Sequence, residues 1–173
     1  MSLKKNKIGI LGGSFDPAHR GHLAISKEAI KRYKLKKIIW AITKKNPFKK
    51  ISNVSLLVRI QYCKKIISKN NLIKVKFYEN IVKSNKTIDL INYLKRNKKI
   101  EIFFLMGADN LISFHKWHKW KAISQKCNII VFDRHGYKKK SLNSITFKRL
   151  NNKKLKFIEF NKVNISSSQL RKI

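Results

Sequence analysis

The sequence predicts an α/β protein with a doubly wound parallel sheet and helices on both faces. Short apolar runs, typical of strands, alternate with segments of helical spacing along the chain. Such alternation favours right-handed βαβ units and therefore a parallel sheet. A hydrophobic fraction of 43% argues against disorder, and 173 residues suit one domain, which we assign to residues 1–173.

Six apolar runs are candidate strands. They are Ile8–Leu11, Ile38–Ile42, Ile73–Tyr78, Ile100–Met106, Ile129–Phe132 and Leu155–Phe160. The third run alternates apolar and basic residues in part, which is typical of an edge or half-buried strand. The fourth is almost wholly apolar and is predicted to be central and buried on both faces.

Segments of helical spacing lie between these runs. They extend from about His19 to Tyr33, from a cap at Ser52 or Asn53 to Ile67, from Thr87 to Arg96, and, as a broken helical region, from Asp109 to about Ser124. A short helical start follows Ile165, and residues 136–144 are predicted to be a basic loop.

The segment after the first strand predicts a polyphosphate site. Gly12 and Gly13 lack a Cβ, so we expect a sharp turn there that lets a ligand approach closely. Pro17 closes the loop, and His19 and His22 lie three residues apart at the start of a helix, whose N-terminus favours an anion. A His-x-x-His pair alone is usually a surface or structural feature. Its place after the strand and the glycines favours a functional interpretation.

This segment also resembles a known family signature. Residues Gly13-Ser14-Phe15-Asp16-Pro17-Ala18-His19-Arg20-Gly21-His22 match the Gly-x-Phe-Asp-Pro-x-His-x-Gly-His signature of the nucleotidyltransferase superfamily, which includes the mononucleotide adenylyltransferases. The resemblance implies a Rossmann-like fold in which His19 and His22 are catalytic, contacting the ATP phosphates and stabilising charge in the transition state. It implies ATP contacts at Gly12, Gly13, Ser14, Phe15, His19 and His22.

A second motif lies near the end of the chain. Ile165-Ser166-Ser167-Ser168-Gln169-Leu170-Arg171 matches the family's Ile-Ser-Ser-Thr/Ser-x-x-Arg motif. A serine cluster before a short helix is by itself more often an N-cap. With the opening motif, the resemblance implies the other half of the ATP site, with Arg171 catalytic on the β- or γ-phosphate and further contacts from Ile165, Ser166, Ser167 and Ser168. Relatives usually have a longer closing helix, so we expect either that packing holds Arg171 or that the phosphate grip is weaker.

Gly107 and Asp109 follow the predicted central strand. A carboxylate at the carboxyl end of such a strand can accept hydrogen bonds from ribose hydroxyls, which would place Gly107 and Asp109 in the ATP site. Asp109 can equally be a helix N-cap, and both roles are compatible.

The segment Trp117-His118-Lys119-Trp120 resembles the Trp-His-x-Trp signature of nicotinate mononucleotide adenylyltransferases. Two tryptophans three residues apart ordinarily share one helix face in a core. The resemblance instead implies that Trp117 stacks on the pyridine ring, a contact worth about 1 kcal/mol, while Trp120 is structural.

Further residues concern the binding of the mononucleotide and the loops around it. Thr87-Ile88-Asp89-Leu90 resembles a Thr-x-Asp-Thr-Leu segment, which implies that Thr87 recognises the nicotinate carboxylate and Asp89 orders the loop; the alternative for Thr87 is a helix cap. Lys49 keeps a cation in a loop where Phe48 replaces a common histidine, and we interpret Arg59 as structural. The implied mononucleotide contacts are Gly13, Ser14, Phe15, Lys49, Thr87, Trp117 and His118.

The reaction implied is transfer of the adenylyl group of ATP to nicotinate mononucleotide, giving deamido-NAD and pyrophosphate in NAD biosynthesis. The attacking phosphate monoester is already largely dianionic at neutral pH, so no general base is required. We expect Mg²⁺ to be held mainly by ATP phosphates and assign no metal ligand in the chain. The alternatives are adenylyl transfer to nicotinamide mononucleotide or phosphopantetheine, or a basic nucleic-acid-binding protein on this scaffold.

The formal net charge of +34 would ordinarily indicate a polyanionic partner. The lysines are spread over the whole chain, however, so we interpret the charge as compositional drift and do not expect nucleic acid as a partner. No apolar run approaches a membrane span, so we expect a cytoplasmic protein without a membrane partner. Cys63 and Cys127 are predicted to be buried free thiols, and the chain is a monomer or a homo-oligomer.

Overall fold

A computed structural model describes residues 5–45, 54–150 and 154–160. Its strands are β1 (Asn6–Gly13), β2 (Lys37–Ile42), β3 (Ile73–Lys76), β4 (Ile100–Gly107), β5 (Asn128–Phe132) and β6 (Leu155–Ile158). They form one sheet in the order β3-β2-β1-β4-β5-β6, and every neighbouring pair is parallel. All six predicted strands are confirmed, with β3 at an edge and β4 in the interior of the sheet.

The helices fill the connections between the strands. They are α1 (Arg20–Tyr33), α2 (Leu56–Ile67), α3 (Glu79–Val82), α4 (Thr87–Lys95), α5 (Ala108–Ser113), α6 (Trp120–Lys126), α7 (Lys138–Leu142) and α8 (Ile145–Leu150), with a 3₁₀ turn at Phe114–Lys116 between α5 and α6.

Two of the helix predictions were wrong in detail. The N-cap of α2 is Ser55, whose hydroxyl accepts a hydrogen bond from the Val58 N–H. The predicted basic loop at 136–144 contains α7, because lysine is a good helix former and the helix buries its own Ser141. The single-turn helix α3 was not predicted.

The apolar side chains form a core on each face of the sheet. On one face, Ile10 and Phe104 belong to a cluster that includes residues of α4, α5 and α6. On the other face, Leu11 and Trp40 belong to a cluster that includes residues of α1 and α2. The prediction of helices on both faces is therefore confirmed, whereas the single-domain assignment of 1–173 stays a prediction.

The register aligns the carboxyl ends of four strands. Gly13 at the end of β1 lies opposite Ile42 of β2, and Gly107 at the end of β4 lies opposite Phe132 of β5. The chain passes from β1 to β2 on one side of β1, while β4 lies on its other side. The glycine-rich segment thus leaves the sheet at the topological switch point, where open α/β sheets bind ligands.

Cys63 and Cys127 are free and buried, which confirms the prediction for both. Burial raises the pKa of each thiol to about 12. Within the described ranges, no helix combines the length and the apolar character needed to cross a membrane.

Candidate active site

The two histidines of the opening motif lie together at the start of α1. His19 is the N-cap residue, with extended backbone, rather than a residue inside the helix. Its Nδ1 accepts a hydrogen bond from the Gly21 N–H at 3.1 Å, and Nδ1 of His22 accepts from the His19 N–H at 3.1 Å. The ring centroids are 3.8 Å apart. The expected side-by-side arrangement is confirmed, but the rings themselves occupy the N–H groups of His19 and Gly21.

This reciprocal cap fixes the chemistry of both rings. A backbone N–H can only donate, so each Nδ1 must be an unprotonated acceptor. In the neutral imidazole the proton then lies on Nε2 of His19 and of His22. Phosphate oxygens require N–H donors, and the cap places the donor of both rings on the same nitrogen.

The sharp turn after β1 lies at Phe15 rather than at the glycines. Gly12 and Gly13 are the last residues of the strand and have no positive φ, whereas Phe15 has φ of 48°. The expectation of a turn at Gly12 and Gly13 was therefore wrong. The Phe15 ring is 2% exposed and stacks on Trp40 at 5.0 Å, so core packing holds this backbone conformation. Any ligand contact of Phe15 is consequently limited to its backbone.

Arg59 forms hydrogen bonds to the loops that follow the carboxyl ends of β1 and β2. Its side chain is 3% exposed. It donates to the carbonyl oxygens of Ser14 at 2.6 Å, Thr43 at 3.0 Å, Lys44 at 3.1 Å and Val54 at 3.2 Å. Arg59 therefore ties the loop after β1 to the loop after β2, which agrees with the structural role expected for it.

Glu79, which the sequence reasoning missed, supports the same loop. One of its carboxylate oxygens accepts from the Thr43 hydroxyl and from the Lys44 N–H, and the two donors lie beyond the end of β2. The acid begins a helix that was itself not predicted, so no local pattern pointed to it.

Asp109 is held by an arginine that the sequence reasoning missed. It is the second residue of α5, whose N-cap is Gly107 without a side-chain bond, so the N-cap alternative for Asp109 was wrong. Its Oδ2 accepts from Arg134 Nη1 at 2.6 Å. Its Oδ1 is buried and has no hydrogen-bond partner among the described residues. Arg134 lies just beyond β5, and only the strand order shows that β5 is adjacent to β4, so no local pattern pointed to it.

Gly107 makes this placement of the carboxylate possible. A Cβ built on Gly107 would lie 2.5 Å from Asp109 Oδ1, closer than any real contact allows. The glycine therefore leaves the space that the carboxylate fills, and the unpartnered Oδ1 is an acceptor to which a hydroxyl can donate.

Trp117 and Trp120 do not share a helix face, contrary to the simplest interpretation of their spacing. Trp117 follows the 3₁₀ turn in extended conformation, whereas Trp120 begins α6. The Trp117 ring contacts Phe104 and Phe114 edge-on at 6.1 and 5.2 Å, and Trp120 packs on Phe114 at 6.1 Å. Trp117 is half-buried and His118 is exposed, so the two side chains have different environments.

Thr87 is the first residue of α4, and the N-cap is Lys86 without a side-chain bond, so the capping alternative for Thr87 was wrong. Asp89 Oδ2 accepts from the Ser84 hydroxyl at 2.6 Å, and that hydroxyl accepts from the Lys86 N–H at 3.1 Å. Asp89 thus orders the loop before α4, as the resemblance implied.

Phe104 lies near both Gly12 and Trp117. A Cβ built on Gly12 would lie 3.7 Å from Phe104, whose ring is also in contact with Trp117. Trp117 therefore packs against the core on one face of the sheet, while His22 packs with Trp40 on the other. The remaining predicted site residues lie outside the described ones: Phe48, Lys49, Ile165, Ser166, Ser167, Ser168 and Arg171.

Comparison with known proteins shows which family the chain belongs to. Residues 10–173 match the family model described as cytidylyltransferase-like. A Pelagibacter ubique (strain HTCC1062) relative, "Probable nicotinate-nucleotide adenylyltransferase", is 68% identical over 173 residues, which cover 100% of this chain and 96% of the relative. The chain belongs to this family of nucleotidyltransferases. The predictions of the family and of an enzyme are confirmed.

The chain is also similar to a second curated relative and to a solved structure. A Nitratiruptor relative of the same name is 36% identical over 167 residues, covering 95% of this chain and 87% of the relative. Among solved structures, "Plasmodium falciparum nicotinic acid mononucleotide adenylyltransferase complexed with NaAD" aligns with a TM-score of 0.78 at 21% identity, over 96% of this chain and 83% of that one. At that identity the likeness supports the Rossmann-like fold alone.

Proposed function

We propose that this nucleotidyltransferase transfers the adenylyl group of ATP to nicotinate mononucleotide, giving deamido-NAD and pyrophosphate in NAD biosynthesis. The observation that carries the proposal is the 68% identity, over the full chain, to the Pelagibacter relative named for this reaction. The likeness to the Plasmodium structures, at 21% identity, agrees with the fold that this reaction needs.

The histidine pair is proposed to bind the ATP phosphates. Nε2 of His19 and of His22 would donate to phosphate oxygens, because the reciprocal cap leaves the proton of each neutral ring on that nitrogen. In adenylyl transfer the acceptor phosphate needs no base, so the work of the site is to position the reactants and stabilise charge. A second group of phosphate-binding residues is proposed from the sequence motif alone: Ser167, Ser168 and Arg171.

Asp109 and Trp117 are proposed to bind the two ends of the dinucleotide product. The buried, unpartnered Oδ1 of Asp109 would accept from a ribose hydroxyl of ATP, while Arg134 holds the other carboxylate oxygen. Trp117, half-buried beside Phe104 and Phe114, would stack on the pyridine ring of the mononucleotide. Thr87 and His118 are proposed to lie around the same ring.

Mg²⁺ is proposed to enter as part of the substrate, MgATP. No cluster of three or more potential metal-ligating side chains occurs among the described residues, and the chain has only 8 acidic residues. This donor set fits a cation coordinated by phosphate oxygens and water rather than by the chain. When bound, the cation neutralises part of the triphosphate charge.

The experiment that tests the function is pyrophosphate release with MgATP and each of three acceptors. We expect rapid release with nicotinate mononucleotide, slower release with nicotinamide mononucleotide, and none with phosphopantetheine. A preference for phosphopantetheine would overturn the acceptor assignment. No release with any acceptor, together with steeply salt-dependent binding to RNA or DNA, would favour the nucleic-acid-binding alternative.

The site assignment is tested with the variant His22→Ala. Loss of a donor to the reacting phosphates should lower kcat by about 100-fold or more while the circular dichroism spectrum stays native. The exposed His135 supplies the control, since His135→Ala removes an imidazole away from the cap. Normal turnover by His22→Ala would rule out the phosphate-binding role.

A further inference from the structure

A buried hydrogen-bonded link joins the sheet to the helix that carries the histidines. The indole N–H of Trp40, on β2, donates to the Ser26 hydroxyl at 2.9 Å. That hydroxyl donates in turn to the backbone carbonyl of His22 at 2.7 Å. Trp40 and Ser26 are both 0% exposed, so water does not compete for either bond.

The direction of this link is fixed by its chemistry. An indole nitrogen can only donate, so the Ser26 oxygen must accept from Trp40. The single hydroxyl hydrogen is then committed to the His22 carbonyl. Each group in the link has one role, and the removal of the Ser26 hydroxyl breaks both bonds at once.

The His22 ring is held against the same tryptophan. Its centroid lies 4.8 Å from Phe15 and 5.9 Å from Trp40, and Phe15 itself stacks on Trp40 at 5.0 Å. Trp40 is anchored in the sheet, because its strand pairs with Leu11 of β1 on one side and Val75 of β3 on the other. The carbonyl of His22, through Ser26, and the ring of His22, by direct contact, are thus both held by the Trp40 side chain.

His19 follows His22 through the reciprocal cap. Its ring lies 3.8 Å from that of His22, and its backbone N–H donates to the His22 ring. A displacement of His22 therefore moves both rings. Donors that meet a reacting phosphate must be held closely in place, since a misplacement of about 1 Å can cost about 100-fold in rate.

We propose that Trp40 and Ser26 are positioning residues for adenylyl transfer, which hold His22 and, through the cap, His19 in the arrangement that meets the ATP phosphates. The proposal rests on the proposed function. Neither residue touches substrate. Their effect is to fix the place of His22 before ATP binds, and with it the reciprocal cap that sets the tautomer of both imidazoles.

The first test is steady-state kinetics of Ser26→Ala and Trp40→Phe. Ser26→Ala removes the link, and Trp40→Phe removes the indole N–H while retaining an aromatic ring. We expect kcat to fall by about 10- to 100-fold in each, with the KM for nicotinate mononucleotide changed less than about twofold. Because the link can be broken only once, the double variant should be little slower than the slower single variant.

The second test is ¹⁵N NMR of the histidine rings without ligand. The wild type should show an unprotonated Nδ1 in His19 and His22, and Ser26→Ala should shift both rings towards a mixture of tautomers. Ser124→Ala is the matched control, because Ser124 is also buried and its hydroxyl donates to the Lys121 carbonyl at 2.7 Å. It lies in α6, just before β5 begins.

Wild-type kcat and unchanged ring signals in Ser26→Ala and Trp40→Phe would overturn the proposal. An equal loss of kcat in Ser124→Ala would also overturn it, because the loss would then reflect general destabilisation. If Ser26→Ala does not fold, kcat and the ¹⁵N signals of the histidine rings are measured on Trp40→Phe instead. Absence of adenylyl transfer in the wild type would refute the proposed function, while the NMR comparison would still decide whether the link positions the rings.

Discussion

Replacement of Arg59 by methionine tests how strongly the site loops depend on one buried cation. Two of its four acceptors, the carbonyls of Val54 and Lys44, belong to exposed residues, so water can replace the guanidinium there at little cost. The other two belong to half-buried Ser14 and Thr43. A hydrogen bond with a charged donor contributes about 1.5–3 kcal/mol, so the loss of these two should lower the free energy of unfolding by about 3–6 kcal/mol.

The assay is urea denaturation followed by circular dichroism. Arg59→Lys should lie between the wild type and Arg59→Met, because an ammonium group can reach only some of the carbonyls. Arg32→Met is the control, since Arg32 pairs with Glu28 on the surface, its side chain is 51% exposed, and such pairs contribute about 0–1 kcal/mol. A loss in Arg59→Met no larger than in Arg32→Met would refute the reasoning.

Three further predictions concern the two sides of the site and the core. Trp117→Ala should raise the KM for the mononucleotide by about fivefold through loss of about 1 kcal/mol of stacking, and leave the KM for ATP nearly unchanged. Equal changes in both KM values would contradict the stacking role. Gly107→Ala should raise the KM for ATP by about tenfold, because the new methyl group would displace the Asp109 carboxylate; an unchanged KM for ATP would count against ribose binding. The pKa of Cys63 and of Cys127 is raised from 9.0 to about 12 in the fold, so the stability they confer is complete below pH 9 and is lost as the pH rises towards 12. Between pH 9 and 12 the free energy of unfolding of Cys63→Ala should fall by about 1.4 kcal/mol less per pH unit than that of the wild type. Parallel plots of the free energy of unfolding against pH for the two proteins would disprove this linkage.

Local patterns were sufficient to locate most of the secondary structure. The six strands are apolar runs, and a run of that kind predicts a strand because a parallel sheet is buried on both faces. Helix α7 escaped detection because residues 136–144 begin with glycine, are mostly polar and lack apolar periodicity. The positive φ of Phe15 could not be predicted, since it is maintained by contact with Trp40, 25 residues away in sequence.

The candidate site was predicted only in part, for the same reason. The motif located the histidine pair, but the reciprocal cap depends on backbone geometry at the start of α1. Asp109 was recognised from its place after β4. Arg134, its partner, required the strand order that brings the ends of β4 and β5 together.

The sequence by itself determined the fold class and the family, and it predicted which residues carry chemistry, because each rests on short contiguous patterns. Tertiary structure alone decided how those residues are held: which nitrogen of each imidazole is the donor, which oxygen of Asp109 is unpartnered, and which side chains support His22. These properties depend on hydrogen bonds and ring contacts between segments distant in the chain, such as β2 with α1. Packing of the whole sheet brings such segments together.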